Sequence, residues 1–271
     1  MPPAYTTAQK ASIQTLVGMT GMDRTTAAKL LKQNGWNDNA AANAFFGGGA
    51  NTASSPHKAA ATKLFDSYRD DPKEYPDEIH IDGTMQMLQE MDIDLEGVGP
   101  LIFSEAVGAP VFGKLERTPF VDGLCAAGVS DLSGIRKLVE ERTSRLAEPS
   151  FKSEFKNIYK HSFVLARPEG QKAVPLDVAI VFWRLLFNEP SLQWSTTQSP
   201  FLEWWIEFLE NRWKRSVNKD MWDQTLAFAH KTLEDESLGW WSEDSAWPGV
   251  IDEFVEYVQT EQRGGSDMDT A

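Results

Sequence analysis

Few residues of this chain have the type and spacing to make or break bonds. The four histidines, His57, His80, His161 and His230, stand far apart. They lack the short separations by which imidazoles share a metal ion. The single cysteine, Cys125, lies in the apolar run GLCAAG. Nothing beside it would stabilise a thiolate, so it reads as a small core residue rather than a nucleophile. One cysteine also excludes an internal disulfide framework and a cysteine-ligated zinc, and it fits a reducing compartment. Carboxylates cluster, as in Glu234–Asp235–Glu236 and Asp252–Glu253. In an acidic chain such runs are solvated faces. A pair becomes acid and base only in a cleft that splits its pKa values. The phosphate cradles GxGxxG and GxxxxGK[ST] are missing, as are the GxSxG elbow and HExxH. The sequence therefore predicts no catalytic residue, no metal and no cofactor.

One stretch comes near a calcium loop: Asp70, Asp71, Glu74, Asp77 and Glu78, then Ile81, Asp82 and Gly83. A working loop needs oxygens at fixed alternate positions, a glycine at the sixth and a glutamate at the twelfth. That register is not met, so the reading is an EF-hand-like helix pair without calcium.

The elements that would position these residues are helices. The chain has 271 residues, enough for one or two domains with a full core. GGGANTASSPHKAAA, from Phe46 to about Ala61, has no apolar period and reads as a flexible linker. To its left, one helix spans about Thr7 to Val17 with Ile13, Leu16 and Val17 on one face. Asp23 or Thr25 caps a second helix that buries Ala27, Leu30 and Leu31. Gly35 suits its C-terminus. Asn37 or Asp38 starts a third helix ending in Phe45 and Phe46. To the right, spacings of three and four predict helices near 59–69, 84–91, 95–108, 117–127, 131–145, 151–166, 175–188, 201–213, 219–235 and 246–262. Nothing alternates long enough for a sheet, although Glu78–Ile81 suits a strand-like bridge. Nine of the ten tryptophans fall between Trp183 and Trp247 and read as a dense aromatic core. The expected fold class is all-α.

The net charge is −14, from 40 acidic and 26 basic residues. That repels a phosphate backbone, so nucleic acid is not an expected partner, whereas basic proteins are. From Glu203 to Ala271 the chain carries 16 acidic and 6 basic side chains, while residues 1–48 carry two acidic and four basic. The longest apolar stretch, Val178 to Phe187, is interrupted by Arg184 and too short to span a bilayer. Residues 1–20 show no signal-peptide pattern. No basic run reads as a nuclear address, so the cytoplasm, the nucleus or both are compatible.

Two resemblances then emerge. LVGMTGM, AAKLLKQNGW and NAAANAFF, within residues 8–46, resemble a ubiquitin-associated (UBA) domain, a three-helix bundle. The resemblance implies a ubiquitin-binding surface at Met19, Thr20, Gly21 and Met22, with Phe45 and Phe46. HIDG at 80–83, GQKAVPLDVAIVFWRLLF at 170–187, KRSVNKDMW at 214–222 and AWPGVIDEFVEYV at 246–258 resemble the defective-in-cullin-neddylation family. The implied organisation is a UBA-like domain over 8–46, a linker over 47–60, a potentiating-neddylation domain over 61–262 and a disordered tail over 263–271. The large domain is then all-helical, with two EF-hand-like repeats lacking calcium.

The implied activity is that of a monomeric scaffold-type E3. It would bind the winged-helix end of a cullin and the E2 charged with the ubiquitin-like modifier of neddylation, and would speed transfer to a cullin lysine. The family's Asp-Ala-Asp cullin patch falls on Asp220, Ala246 and Asp252. Two carboxylates suit a basic partner, and a small alanine lets it approach closely. The plainer role for Asp220 is to cap or start a helix. Alignment with the family sets the pocket for the acetylated N-terminal methionine of the E2 around Leu101, Phe103, Val107, Leu115, Leu165 and Leu185. The contrasting reading is a ubiquitin-binding adaptor without effect on modifier transfer. A third reading, a calcium-regulated helical protein, conflicts with the ligand pattern.

Overall fold

The computed structural model describes residues 5–20, 22–38, 40–42, 56–242 and 246–264. The chain divides into two compact units, Met1–Ser55 and Pro56–Ala271.

In the first unit, α1 is Thr7–Thr20 and α2 is Arg24–Gln33; helical backbone returns at Asp38 and 40–42. Of the two capping candidates, Asp23 does the work. Its Oδ1 accepts from the amides of Thr25 (2.9 Å) and Thr26 (3.1 Å), and its Oδ2 accepts from the Thr26 hydroxyl. These bonds, the Thr26 hydroxyl first, hold its carboxyl below the usual range. Helix α1 runs past Val17 to Thr20, whose hydroxyl bonds back to the Leu16 carbonyl at 2.6 Å. Ile13, Leu16, Ala27, Ala28, Leu30, Leu31, Ala41 and Ala42 form the core, flanked by Val17, Met22 and Trp36.

The second unit is built from two matched pairs of helix–loop–helix. In the first pair, α3 (Pro56–Ser67) leads through a loop and β1 (Glu78–Ile79) to α4 (Ile81–Glu90). Helix α5 (Gly99–Ala106) leads through β2 (Leu115–Glu116) to α6 (Arg117–Ala127). β1 and β2 pair antiparallel, Glu78 opposite Glu116 and Ile79 opposite Leu115. Helix α7 (Leu132–Arg145) follows. In the second pair, α8 (Lys152–Ala166) leads through β3 (Ala173–Val174) to α9 (Leu176–Leu186). Helix α10 (Phe201–Phe208), continued by wider π turns to Trp213, leads through β4 (Val217–Asn218) to α11 (Lys219–Glu234). β3 and β4 pair antiparallel in the same way. Helix α12 (Gly249–Tyr257) closes the unit. The architecture is all-α, with two EF-hand-like pairs in each of which a two-residue bridge joins the loops.

Residues 56–60, read from composition as linker, are helical. Pro56 suits the first turn, and alanine is the best helix former. Small residues without apolar period are legible as either state, and burial of Ala61 and Phe65 decides it.

In the first loop the carboxylate that opens the calcium-like stretch is used for capping. Asp70 accepts from the backbone amides of His80 (2.7 Å) and Gly83 (2.8 Å) at the start of α4. The N-cap residue, His80, makes no side-chain cap of its own. Gly83 is required here, because a Cβ would lie 1.9 Å from the Tyr68 carbonyl oxygen. Among the described residues no group of three His, Cys, Asp or Glu side chains is placed to hold a metal ion.

The aromatic core lies in the second pair. Trp183 of α9 stacks on Trp222 of α11, with centroids 5.2 Å apart and planes inclined by 17°. The fully buried Tyr159 of α8 ties them together. Its hydroxyl accepts from Trp183 Nε1 (2.9 Å) and donates to the Trp222 carbonyl (2.8 Å). Trp222 Nε1 donates in return to the Tyr159 carbonyl at 2.9 Å. These bonds follow the rule that a buried indole or phenol usually has its polar end paired. Tyr159→Phe would orphan the Trp183 N–H and the Trp222 carbonyl together. The expected loss is about 2 kcal/mol of unfolding free energy, read from urea titrations; an unchanged midpoint would contradict this account.

His161, also on α8, is mostly buried, and burial lowers its pKa against the opposing pull of Glu105 and the Ala109 and Ser104 carbonyls. An imidazole depressed in the folded state takes up its proton first in the unfolded chain. Its contribution is therefore complete above about pH 6.5 and is lost as pH falls below that value. His161→Gln should shed part of the stability drop between pH 7.5 and 5.5, measured as urea midpoints against wild type.

Candidate functional site

Two faces of the second unit carry the predicted residues. On the first, the start of α11 is capped by Asn218, whose Oδ1 accepts from the Met221 amide at 2.8 Å. Asp220 is thereby relieved of the capping role. It stands exposed in the first turn, at the positive end of the helix dipole, without a side-chain partner among the described residues. Its neighbour Lys219 is taken by Asp223 at 2.6 Å.

Ala246 and Asp252 flank the start of α12. Pro248 ends the preceding loop, and its carbonyl accepts from the Ile251 amide at 2.8 Å. Ala246 is exposed. Asp252 is half-buried, and its Oδ1 accepts from Trp241 Nε1 at 3.0 Å. One oxygen is thus held while the carboxylate stays in the first helical turn. Trp247, beside Ala246, packs edge-on to Phe228 of α11 (5.8 Å), and Phe254 of α12 packs on the same ring (5.9 Å). Phe228 therefore fastens the loop and helix bearing Ala246 and Asp252 to the helix bearing Asp220. The tryptophans of this region act as that framework.

The second face is an apolar groove of about 470 Å³ between the start of α5 and the outer side of α9. Of the six residues predicted to form a methionine pocket, Leu101 and Leu185 meet there. The other four do not line it. Phe103, Val107 and Leu115 are fully buried, and Leu165 nearly so. The physical reason is helical phase. Residues 101 and 103 are two apart and so face nearly opposite ways, while Phe103 and Val107, four apart, share the inward face.

Leu95, Pro100, Phe112, Val181 and Phe182 complete the groove. Leu95, Phe112 and Val181 are 37%, 46% and 57% exposed, unusual for large apolar side chains. Val181 was legible in principle. Helix α9 is apolar nearly all round, yet its core face is already filled by Ala179, Ile180, Trp183 and Leu186. Its remaining apolar residues need another cover. At the rim Arg184 clamps Glu203 through two bonds of 2.7 and 3.1 Å.

In the first unit, Met19 is 54% exposed and Met22 half-buried. The Thr20 hydroxyl is used internally, donating to Leu16 and accepting from the Met22 amide at 3.4 Å. Gly21, Phe45 and Phe46 lie outside the described residues.

Sequence comparison agrees with this division. A family profile described as cullin binding matches residues 134–257, and one described as a UBA-like domain matches residues 10–52. By class, then, the chain joins a UBA-like domain to a helical domain of the cullin-binding type. It is 35% identical over 272 residues to Defective in cullin neddylation protein 1 of Pyricularia oryzae, covering 96% of each chain. It is 33% identical over 201 residues to the protein of that name from Yarrowia lipolytica, covering 74% of this chain and 78% of the relative. Against the Saccharomyces cerevisiae protein it is 25% identical over 267 residues, 94% and 95% of the two chains. The chain belongs to the defective-in-cullin-neddylation family. No helix among the described residues is long and apolar enough to cross a membrane.

The division between groove and core is testable by polar substitution. Val181→Asp should change unfolding free energy by no more than about 0.5 kcal/mol, whereas Val107→Asp should cost upwards of about 4 kcal/mol. Equal losses in chemical denaturation would show that the two positions had been assigned wrongly.

Proposed function

We propose that the chain acts in cullin neddylation as a non-catalytic scaffold-type E3. Asp220, Ala246 and Asp252 would receive a basic winged-helix surface of a cullin. The apolar groove at Leu101, Phe112, Val181 and Leu185 would receive the acetylated N-terminal methionine of the neddylation E2. The observation that carries this reading is the preparation of the acidic patch. A separate residue, Asn218, caps α11, which leaves the Asp220 carboxylate exposed, while Trp241 holds one oxygen of Asp252 in the first turn of α12, and the small Ala246 before that helix is exposed. Charged hydrogen bonds from lysine or arginine are the strong ones. The surrounding negative charge would steer a basic partner, with a rate that falls as salt rises.

Burying a methionine side chain contributes roughly 1.5–3 kcal/mol, and acetylation removes the cost of burying an ammonium. Rate enhancement then comes from proximity. The E2 holds the thioester, the cullin offers the lysine, and tying both to one body raises their effective concentration and restricts their orientation. No residue of this chain attacks or carries a proton in that scheme.

The test is single-turnover transfer from pre-charged E2 to a cullin C-terminal fragment. Wild type should accelerate transfer. Asp220→Ala, Ala246→Arg and Asp252→Ala combined should abolish both the acceleration and cullin binding while the circular-dichroism melt is retained. Undiminished cullin affinity in that variant would refute the patch. Absence of acceleration by wild type, with ubiquitin bound through the first unit, would favour the adaptor reading.

A further inference from the structure

A third surface contains none of the residues assigned to the acidic patch or the apolar groove. It is a groove of about 480 Å³ between α8 and α11. One wall is a stripe of exposed lysines, Lys152, Lys156 and Lys160, and Lys231 stands on the other. This is a basic island on a chain of net charge −14. Its carboxylates are already engaged at its ends. Asp223 pairs with Lys219 at 2.6 Å and Lys160 at 4.0 Å, and Glu234 with Lys231 at 3.9 Å. Lys152 and Lys156 have no carboxylate partner among the described residues.

We propose that this groove binds an extended acidic segment of a partner protein, with carboxylates at every second residue. The spacing argues for it. Lysines four apart on a helix recur every ~6 Å, so the stripe is ~12 Å long. Alternate residues of an extended chain lie ~6.7 Å apart and point to the same side. The concave shape suits a single strand and not a flat lipid surface. Opposite the lysines, Ala227 is small and exposed, which leaves room for the side chains between the carboxylates.

His230 reports on the site. It is half-buried on the α11 wall, and its pKa is lowered by burial first, then by Lys152 and Lys156, against the opposing pull of Glu234. A carboxylate seated over the lysines cancels their repulsion, so binding and protonation of His230 are coupled.

The probe is a fluorescein-labelled acetyl-Ser-Glu-Ala-Glu-Ala-Glu-Ser-amide peptide, titrated by anisotropy with the full chain at low salt. Saturable binding is expected. It should be at least tenfold weaker in Lys152→Glu/Lys156→Glu, whose exposed positions leave the circular-dichroism melt unchanged. The His230 imidazole, followed by NMR, should titrate at higher pH in the peptide-saturated protein. Binding untouched by the charge reversal would overturn the proposal. So would equal affinity for the isomer with three consecutive glutamates, or charge-dependent binding to phosphatidylserine vesicles with none to the peptide.

Discussion

The reciprocal bonding of Tyr159 and Trp222 is the constraint from which the second unit is built. Two aromatic residues on different helices each satisfy the other's backbone or ring, and the Tyr159 hydroxyl also takes the N–H of Trp183. This fixes α8, α9 and α11 at one separation and one rotation, since neither helix can turn without breaking a buried hydrogen bond. Every candidate surface of the second unit lies on these three helices or on elements packed against them. The apolar groove uses the far side of α9, the lysine groove is walled by α8 and α11, and Asp220 begins α11. Phe228, on the same helix, carries the arrangement on to Trp247 and Phe254, and so to Ala246 and Asp252.

The helix–loop–helix pairs reach an EF-hand-like geometry by different means from an ion. In the first loop, Asp70 spends both carboxylate oxygens on the backbone amides that open α4. A metal would require those oxygens, together with several others converging on one point. The loop instead closes on Gly83, where the Tyr68 carbonyl occupies the space a Cβ would need. The two-residue bridges then join the loops in each pair. Acidic residues in this stretch serve in capping and in surface pairs such as that of Arg117 with Asp77.

Helix positions were legible because apolar spacings of three and four, with prolines and glycines between, carry the core pattern directly. The expected spans near 117–127, 131–145, 151–166 and 219–235 fall within a residue or so of α6, α7, α8 and α11. The Asp23 cap was among the two candidates named. What was not legible was phase. Leu101, Phe103 and Val107 are equally apolar in a list of letters and all three are buried, yet of the three Leu101 alone also borders the groove. The cap of α11 was hidden for a similar reason. Asn218, Asp220 and the residues around them all suit a helix start, and only the backbone shows which oxygen meets the Met221 amide.

Charge in this chain is sorted by location more than by amount. Acidic residues dominate the composition, yet the helix starts at Asp220 and Asp252 and the lysine stripe of α8 present opposite signs on one unit. An exposed pair of ions gains little where solvent screens it. Charges of one sign left without a carboxylate or ammonium partner are different, because a partner of opposite charge relieves their mutual repulsion. Asp252 keeps its negative charge in place through the Trp241 indole rather than through a lysine. Lys152 and Lys156 likewise act on His230 and pair with no carboxylate among the described residues. In both places an aromatic ring orients the charge or responds to it without neutralising it. That is the arrangement expected of surfaces whose counter-charge comes from another molecule.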